Sequence, residues 1–241
     1  MPTLVTLDEA VDKVSKHPSP ILFPDTCALL DLIRCTKRDN PSAIKQQLES
    51  ARNLIRKAAN NPPMLWVVVP HPIPDEWDTH KSSAREELKQ WKKHIERENL
   101  KLHAAAHSLN IQIEDKLVQF AETQFIDSAS SLASSFMKYG LTFEDDTCKI
   151  AGLNRLRQGV APAQPGERSP GDCIITEHCL KFVAFLRRRE IDEPCVFLTS
   201  NTSDYYDDVQ KAIREDLRIE FNDYETTPAW SWNMAAHFLG L

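Results

Sequence analysis

The segment "ILFPDTCALLDL", residues 21–32, begins as an apolar run with the composition of a buried strand and then meets a charge. The charge is Asp25, which is followed by the small hydroxyl residue Thr26 and by a helical pattern. Asp25 is well placed to cap that helix. It is also well placed to bind a ligand, because ligands of parallel α/β sheets lie beyond the carboxyl ends of the strands.

Three further segments have the composition of buried strands: "MLWVVVP" (64–70), "PCVFLTS" (194–200) and "RIEFND" (218–223). Helical sequence separates them from one another and from the strand at residues 21–24. This alternation predicts an α/β fold with a central parallel sheet flanked by helices.

The helical patterns between these strands are well marked. Asn40 and Pro41 supply a cap and a first-turn proline for one helix. Apolar residues recur at intervals of three and four over residues 83–110 and again over residues 113–139. The last two segments predict an antiparallel helical hairpin joined near Asn110. We expect it to be an insertion at about residues 80–140 in a single domain that spans residues 1–241.

The amino-acid composition of the chain excludes several classes of protein. The 241 residues include 29 Lys and Arg against 35 Asp and Glu, for a net charge of −6, which argues against a broad basic face for nucleic acid. Six cysteines occur without a CxxC pair, so neither a structural zinc site nor a disulfide framework is expected. No apolar run is long enough to cross a bilayer, and the N-terminus carries acids where a signal peptide is basic and apolar. We therefore expect a cytoplasmic protein without a membrane partner.

Four acidic residues from distant parts of the chain fall at the same edge of the predicted sheet. Asp25 and Asp204 follow the first and third strands, Glu76 follows the second, and Asp172 opens the helix before the third. Crowded carboxylates repel one another and raise one another's pKa unless a cation binds. Oxygen ligands without nearby Cys or His favour Mg²⁺ or Mn²⁺, and these ions promote hydrolysis of phosphate esters.

Each acid also has a structural interpretation. Asp25 and Asp172 can cap the helices that follow them, and Asp204 can be a solvated loop residue. Glu76 is flanked by Asp75 and Asp78, either of which can serve instead as an acid at a helix start. The metal interpretation therefore depends on the four acids occurring together.

The blocks "ILFPDTCALLDL", "VVVPHPIPDEWD", "SPGDCIITEHCLKF" and "VFLTSNTSDYY" together resemble, in chain order, the four sequence blocks of PIN-domain ribonucleases. The resemblance implies a Rossmann-like sheet of about five strands and metal-dependent hydrolysis of RNA. It places Asp25, Glu76 and Asp172 at the first three acidic positions. At the fourth position Asn201 stands where many members have an acid, so either Asp204 completes the site or Asn201 contributes a neutral oxygen.

The resulting hypothesis is a Mg²⁺- or Mn²⁺-dependent endoribonuclease whose ions are held by Asp25, Glu76, Asp172 and Asp204. Hydroxyl and amide groups are expected to support these ligands, namely Thr26, Thr199, Ser200 and Asn201. RNA is the expected substrate, and the resemblance makes a homodimer or an antitoxin-like partner reasonable expectations. The alternatives are an inactive PIN-like module that binds protein or RNA, and a nuclease specific for structured DNA. No GxSxG, GxxxxGK or GxGxxG motif is present, and Cys27 occupies the position where a haloacid-dehalogenase-like phosphatase has its second aspartate.

Overall fold

The computed structural model describes residues 4–38, 40–109, 122–163, 170–207 and 212–241. Its strands are β1 (Val5–Thr6), β2 (Ile21–Pro24), β3 (Trp66–Val67), β4 (Phe143–Glu144), β5 (Cys195–Leu198), β6 (Tyr206–Asp207), β7 (Ala212–Ile213) and β8 (Thr226–Ala229). Its helices are α1 (Leu7–Lys16), α2 (Thr26–Arg38), α3 (Pro41–Ala58), α4 (Ile73–Ser108), α5 (Glu122–Tyr139), α6 (Asp146–Gln158), α7 (Gly171–Arg187), α8 (Thr202–Tyr205), α9 (Glu215–Asp223) and α10 (Trp232–Phe238).

The main sheet is parallel and has the strand order β3-β2-β5-β8. Every residue of β2 and β5 is buried, which explains why these inner strands are continuous apolar runs in the sequence. A bridge between Val68 and Leu141 extends the pairing beyond β3 to β4, which in turn pairs in parallel with β1. The expectation of an α/β fold with a parallel sheet is confirmed at this level, and the topology is compatible with a Rossmann-like fold.

The fourth predicted strand was wrong. The segment 218–223 belongs to α9, where Leu217 and Phe221 are buried one turn apart while Ile219 between them is 49% exposed. That pattern is helical, because residues four apart share a face of a helix. The fourth strand is instead β8, which within the described ranges pairs with β5 alone and contains Pro228. An edge strand tolerates proline because one of its sides needs no hydrogen-bond donor.

One helix start agrees with the sequence prediction, and another differs from it. The side chain of Asn40 accepts a hydrogen bond from the backbone amide of Ala43 at the start of α3. Helix α4 begins ten residues earlier than predicted, at Ile73, and has Pro74 in its first turn. A proline is tolerated there because the first amides of a helix have no partner within the helix. The early start places Glu76 in the first turn of a 36-residue helix.

Helices α4 and α5 contact each other where Arg85 forms an ion pair with Asp127 at 2.6 Å. The first half of α4 and most of α5 pack on the same buried cluster as the sheet, through residues such as Leu88 and Phe136. The segment predicted to join the two helices near Asn110 lies outside the described residues. Their status as an insertion therefore stays a prediction.

Helices α6 and α7 pack closely at Gly152. A Cβ atom at this position would lie 2.7 Å from the Cα of Ile174, so only glycine fits without movement of α7. None of the helices in the described ranges is both long enough and apolar enough to cross a lipid bilayer.

Candidate active site

Asp25 is fixed by the end of β2 and the start of α2. Its backbone amide donates to the carbonyl of Leu198 in β5 at 2.8 Å, and its carbonyl accepts from the amide of Leu29 in α2 at 3.2 Å. The side chain is 0% exposed. A carboxylate is thus held in the interior at the carboxyl edge of the sheet, where the strand passes directly into a helix.

The two carboxylate oxygens of Asp25 have different surroundings. Oδ2 accepts a hydrogen bond from the hydroxyl of Thr199 at 2.8 Å, and Thr199 is itself fully buried at the end of β5. Oδ1 is buried and has no hydrogen-bond partner among the residues that the structure describes. A buried polar atom without a partner is costly, so this oxygen needs a physical explanation.

Burial raises the pKa of Asp25 from an ordinary 3.8 to about 7, with a further rise from the negative charge of Glu76. The hydroxyl of Thr199 and the backbone amides of Thr26 and Cys27 oppose this rise. The metal-free carboxyl therefore holds its proton much more tightly than an ordinary aspartate does. A bound cation would favour its charged form.

Glu76 is aimed at the same place by α4. The hydroxyl of Thr26 donates to its Oε2 at 2.6 Å, so Thr26 orients Glu76 in the way expected of a supporting residue. Burial raises the pKa of Glu76, against the opposing effects of the Thr26 hydrogen bond and of His80. Asp75 and Asp78, the neighbouring candidates, are exposed, and they pair with His71 and Lys81 respectively.

Asp172 and Asp204 are joined by Asn201. Its amide nitrogen donates to Oδ2 of Asp172 at 3.0 Å and to Oδ2 of Asp204 at 2.6 Å. Asp172 lies in the first turn of α7, and Asp204 lies in the short helix α8. The sequence left open whether Asn201 or Asp204 completes the site; in the structure their side chains contact each other, and Asn201 also contacts Asp172.

Acids at the end of β2, in α4 and in α7 act electrostatically on the half-buried thiol of Cys27. Burial raises the pKa of this thiol above its ordinary value, and the charges of Asp25, Asp172 and Glu76 raise it further. The three carboxylates are thus close enough to act on one group. Within the described residues, however, no three His, Cys, Asp or Glu side chains lie close enough together to form a metal-binding group. The acids are neighbours, but they are not arranged as a closed set of ligands.

Two residues of this region were missed by sequence reasoning. Tyr205 is fully buried, and its hydroxyl donates to the backbone carbonyl of Asp172 at 3.2 Å. Thr176 donates to the same carbonyl at 2.8 Å. Tyr205 directly follows Asp204 in the sequence, and this adjacency is the one signal that could have drawn attention to it.

Ser200 does not contact the acids in the way that was expected of a supporting residue. Its hydroxyl oxygen is buried without a hydrogen-bond partner in the described part of the chain, and the residue lines a cavity beside α2. Neighbouring side chains of an extended segment point in opposite directions. This explains why Thr199 contacts Asp25 while Ser200 faces the cavity.

Comparison of the chain with protein-family models, with curated proteins and with solved structures found no match. The family and the activity therefore depend on the residues described above.

Proposed function

We propose that this protein is a PIN-type, Mg²⁺- or Mn²⁺-dependent endoribonuclease. One observation carries the proposal: Asp25 is a fully buried carboxylate that is repelled by Glu76 at the ligand-binding edge of a parallel sheet, and one of its oxygens has no hydrogen-bond partner in the described part of the chain. Such an arrangement is destabilising in the absence of a positive charge. A cation bound to the free oxygen would remove both costs.

The donor atoms fit a hard divalent cation. Asp25, Glu76, Asp172 and Asp204 supply carboxylate oxygens, which are the ligands that Mg²⁺ and Mn²⁺ prefer. When bound, such an ion would activate water for attack on a phosphodiester and stabilise negative charge on the phosphate oxygens. The supporting residues orient the acids: Thr199 holds Asp25, Thr26 holds Glu76, and Asn201 holds the other two.

An inactive module that binds protein or RNA is the second candidate. It is favoured by the observation that, over the residues the structure describes, the acids do not form a closed group of three ligands. In an active enzyme the cation would draw the carboxylates together. In an inactive module they would remain paired with their threonine and asparagine partners whether or not divalent ions are present.

Calorimetry with Mn²⁺ separates these two candidates. The wild type is expected to bind Mn²⁺, and both Asp25→Asn and Asp172→Asn are expected to lose binding. Asp75→Asn is the matched control, because it removes an exposed carboxylate next to Glu76 and should leave binding unchanged. Failure of the wild type to bind Mn²⁺ would favour the inactive module.

The substrate is tested by comparing cleavage of single-stranded RNA with cleavage of flap and hairpin DNA in the presence of Mn²⁺. We expect internal cuts in RNA that disappear in Asp25→Asn and persist in Asp75→Asn. Cleavage of the DNA substrates alone would overturn the ribonuclease proposal and would favour a nuclease for structured DNA.

A further inference from the structure

The outer half of helix α4, residues 89–108, has a charge opposite to that of the chain as a whole. It contains five Lys and Arg residues and two Glu residues, in a chain where acids outnumber bases by 35 to 29. The first part of the same helix, residues 73–88, contains five acids and two bases. Charge is thus segregated along one continuous helix, with the acids at the end that carries Glu76.

Four of these basic residues form a line that we call the basic stripe: Lys89, Lys93, Arg97 and Lys101. They recur every four residues, a spacing that places neighbouring side chains about 5–6 Å apart on a helix surface. All four are exposed. Over the described ranges, neither Lys93 nor Arg97 forms an ion pair with another residue.

The two ends of the basic stripe have acidic partners at the surface. Lys89 lies 3.8 Å from a carboxylate oxygen of Glu86, and Lys101 lies 2.6 Å from one of Glu98. Exposed ion pairs of this kind are weak, because water screens both charges. A phosphate group can therefore replace either carboxylate at little cost.

The basic residues in the first part of α4 are neutralised by acids. Lys81 pairs with Asp78, and Arg85 pairs with Asp127 of α5 at 2.6 Å. The basic stripe begins 13 residues after Glu76, which is about 20 Å along the helix at 1.5 Å per residue. A helix that starts at the proposed metal site thus carries available positive charge only in its outer half, as far as the described residues show.

The basic stripe lies away from the line of α4 that faces the core. Leu88 is buried in the core, and Ile95, Leu102 and Leu109 continue its line at seven-residue intervals. At about 100° per residue, each member of the stripe lies at least about 100° around the helix from this line. Packing of the apolar line therefore leaves the stripe accessible to a partner.

Resting on the proposed function, we infer that the basic stripe binds the phosphate backbone of the RNA substrate on one side of the bond that is cut. A line of cations follows a single strand by its phosphates and does not read its bases. From its first to its last member the stripe covers about 18 Å of helix axis, which matches about five phosphates at about 3.4 Å per stacked nucleotide.

The inference specifies what kind of RNA the proposed site would take. A strand that reaches from the acids to the basic stripe must continue for at least about 20 Å beyond the cleaved bond. The stripe would hold it without regard to sequence, since every nucleotide carries the same charge. It also shows how a chain with a net charge of −6 can bind a polyanion.

The binding test uses the intact metal-free protein and a fluorescein-labelled oligouridylate of about 20 nucleotides, followed by fluorescence anisotropy from about 50 to about 200 mM salt. In the stripe variant all four residues are replaced by glutamine, which is a good helix former. We expect its binding at about 50 mM salt to be about tenfold weaker or more. Its plot of log affinity against log salt should be shallower by roughly 2.8, because each phosphate contact on a single strand contributes about 0.7.

The matched control removes the same charge from four exposed residues outside α4: Lys16→Gln, Lys45→Gln, Arg52→Gln and Arg56→Gln. The control should bind the RNA within about twofold of the wild type, and circular dichroism shows whether each variant is folded. An equal loss in the stripe variant and the control would show that only net charge matters and would overturn the inference. So would binding of the stripe to vesicles of phosphatidylcholine and phosphatidylglycerol in place of RNA.

Cleavage of the same RNA with Mn²⁺ relates the basic stripe to the proposed site. The stripe variant should raise KM about tenfold, and the control should not. Stripe-dependent RNA binding by a protein that cleaves no nucleic acid would leave the RNA-binding surface in place and refute the nuclease. RNA cleavage with the same KM in wild type and stripe variant would support the nuclease and refute the inference about the stripe.

Discussion

Replacing Asp25 by asparagine is expected to stabilise the metal-free protein, and to do so more strongly as the pH rises. The folded-state pKa of Asp25 is raised from 3.8 to about 7, mainly by burial. A rise from 3.8 to about 7 corresponds to roughly 4 kcal/mol, at about 1.4 kcal/mol for each tenfold change in proton affinity. This is the approximate cost of keeping the ionised carboxylate in the folded protein well above neutral pH.

The direction in which stability changes with pH follows from proton linkage. The folded state holds the Asp25 proton more tightly than the unfolded state, so its contribution to stability is fully present below about pH 4 and is lost as the pH rises through about 7. Asparagine does not ionise, so the variant avoids this loss. Between pH 5 and pH 8 the free energy of unfolding of the variant should gain about 2 to 3 kcal/mol relative to the wild type.

The assay is urea unfolding of wild type and Asp25→Asn at both pH values, in the presence of a chelator. Comparing the two pH values removes any constant effect of the amide, such as a changed hydrogen bond to Thr199. Added Mn²⁺ should stabilise the wild type and not Asp25→Asn, which reverses their order at pH 8. A difference between wild type and Asp25→Asn that stays constant from pH 5 to pH 8 would refute the argument about burial.

Three other substitutions test neighbouring contacts. Thr199→Val removes the hydroxyl that donates to Asp25, so we expect a loss of about 1.5–3 kcal/mol of stability at pH 8 and a smaller loss at pH 5, measured by urea unfolding. Asn201→Asp replaces an amide that bridges two carboxylates by a third negative charge; the metal-free variant should melt at a lower temperature than the wild type, and an equal melting temperature would contradict the geometry. Gly152→Ala forces a methyl group against Ile174 and should cost about 1–3 kcal/mol in urea unfolding without changing Mn²⁺ binding.

The parts of the fold that the sequence predicted are those with strong local signals. Strands β2 and β5 are buried on both faces and therefore appear as uninterrupted apolar runs. Asn40 caps α3 as its sequence suggests.

The wrong predictions concern segments whose sequence pattern is too short to identify or does not resemble that of a buried strand. The six residues 218–223 are too few to separate a period of 2 from a period of 3.6, and the decisive partner of Phe221, Leu217, lies just outside them. Strand β8 has only four residues and includes a proline, so its composition does not resemble that of a buried strand. Its place at the sheet edge comes from pairing with β5, which is a tertiary contact that no local pattern encodes.

The candidate site also has features that the sequence predicts and features that only tertiary contacts determine. That the acids meet at one edge follows from chain order and from the rule for parallel sheets. The identity of their hydrogen-bond partners depends on side-chain direction, which the sequence does not give. The partners of Asp25 and Glu76 in the structure are threonine hydroxyls, and Asn201 provides an amide for the other two acids. Neutral donors orient a carboxylate without cancelling its charge, whereas a lysine or arginine at the same place would compete with a cation for the carboxylate. At Asp25 and Glu76 the choice of threonine therefore leaves the negative charge available, which is what the proposed divalent ion would require.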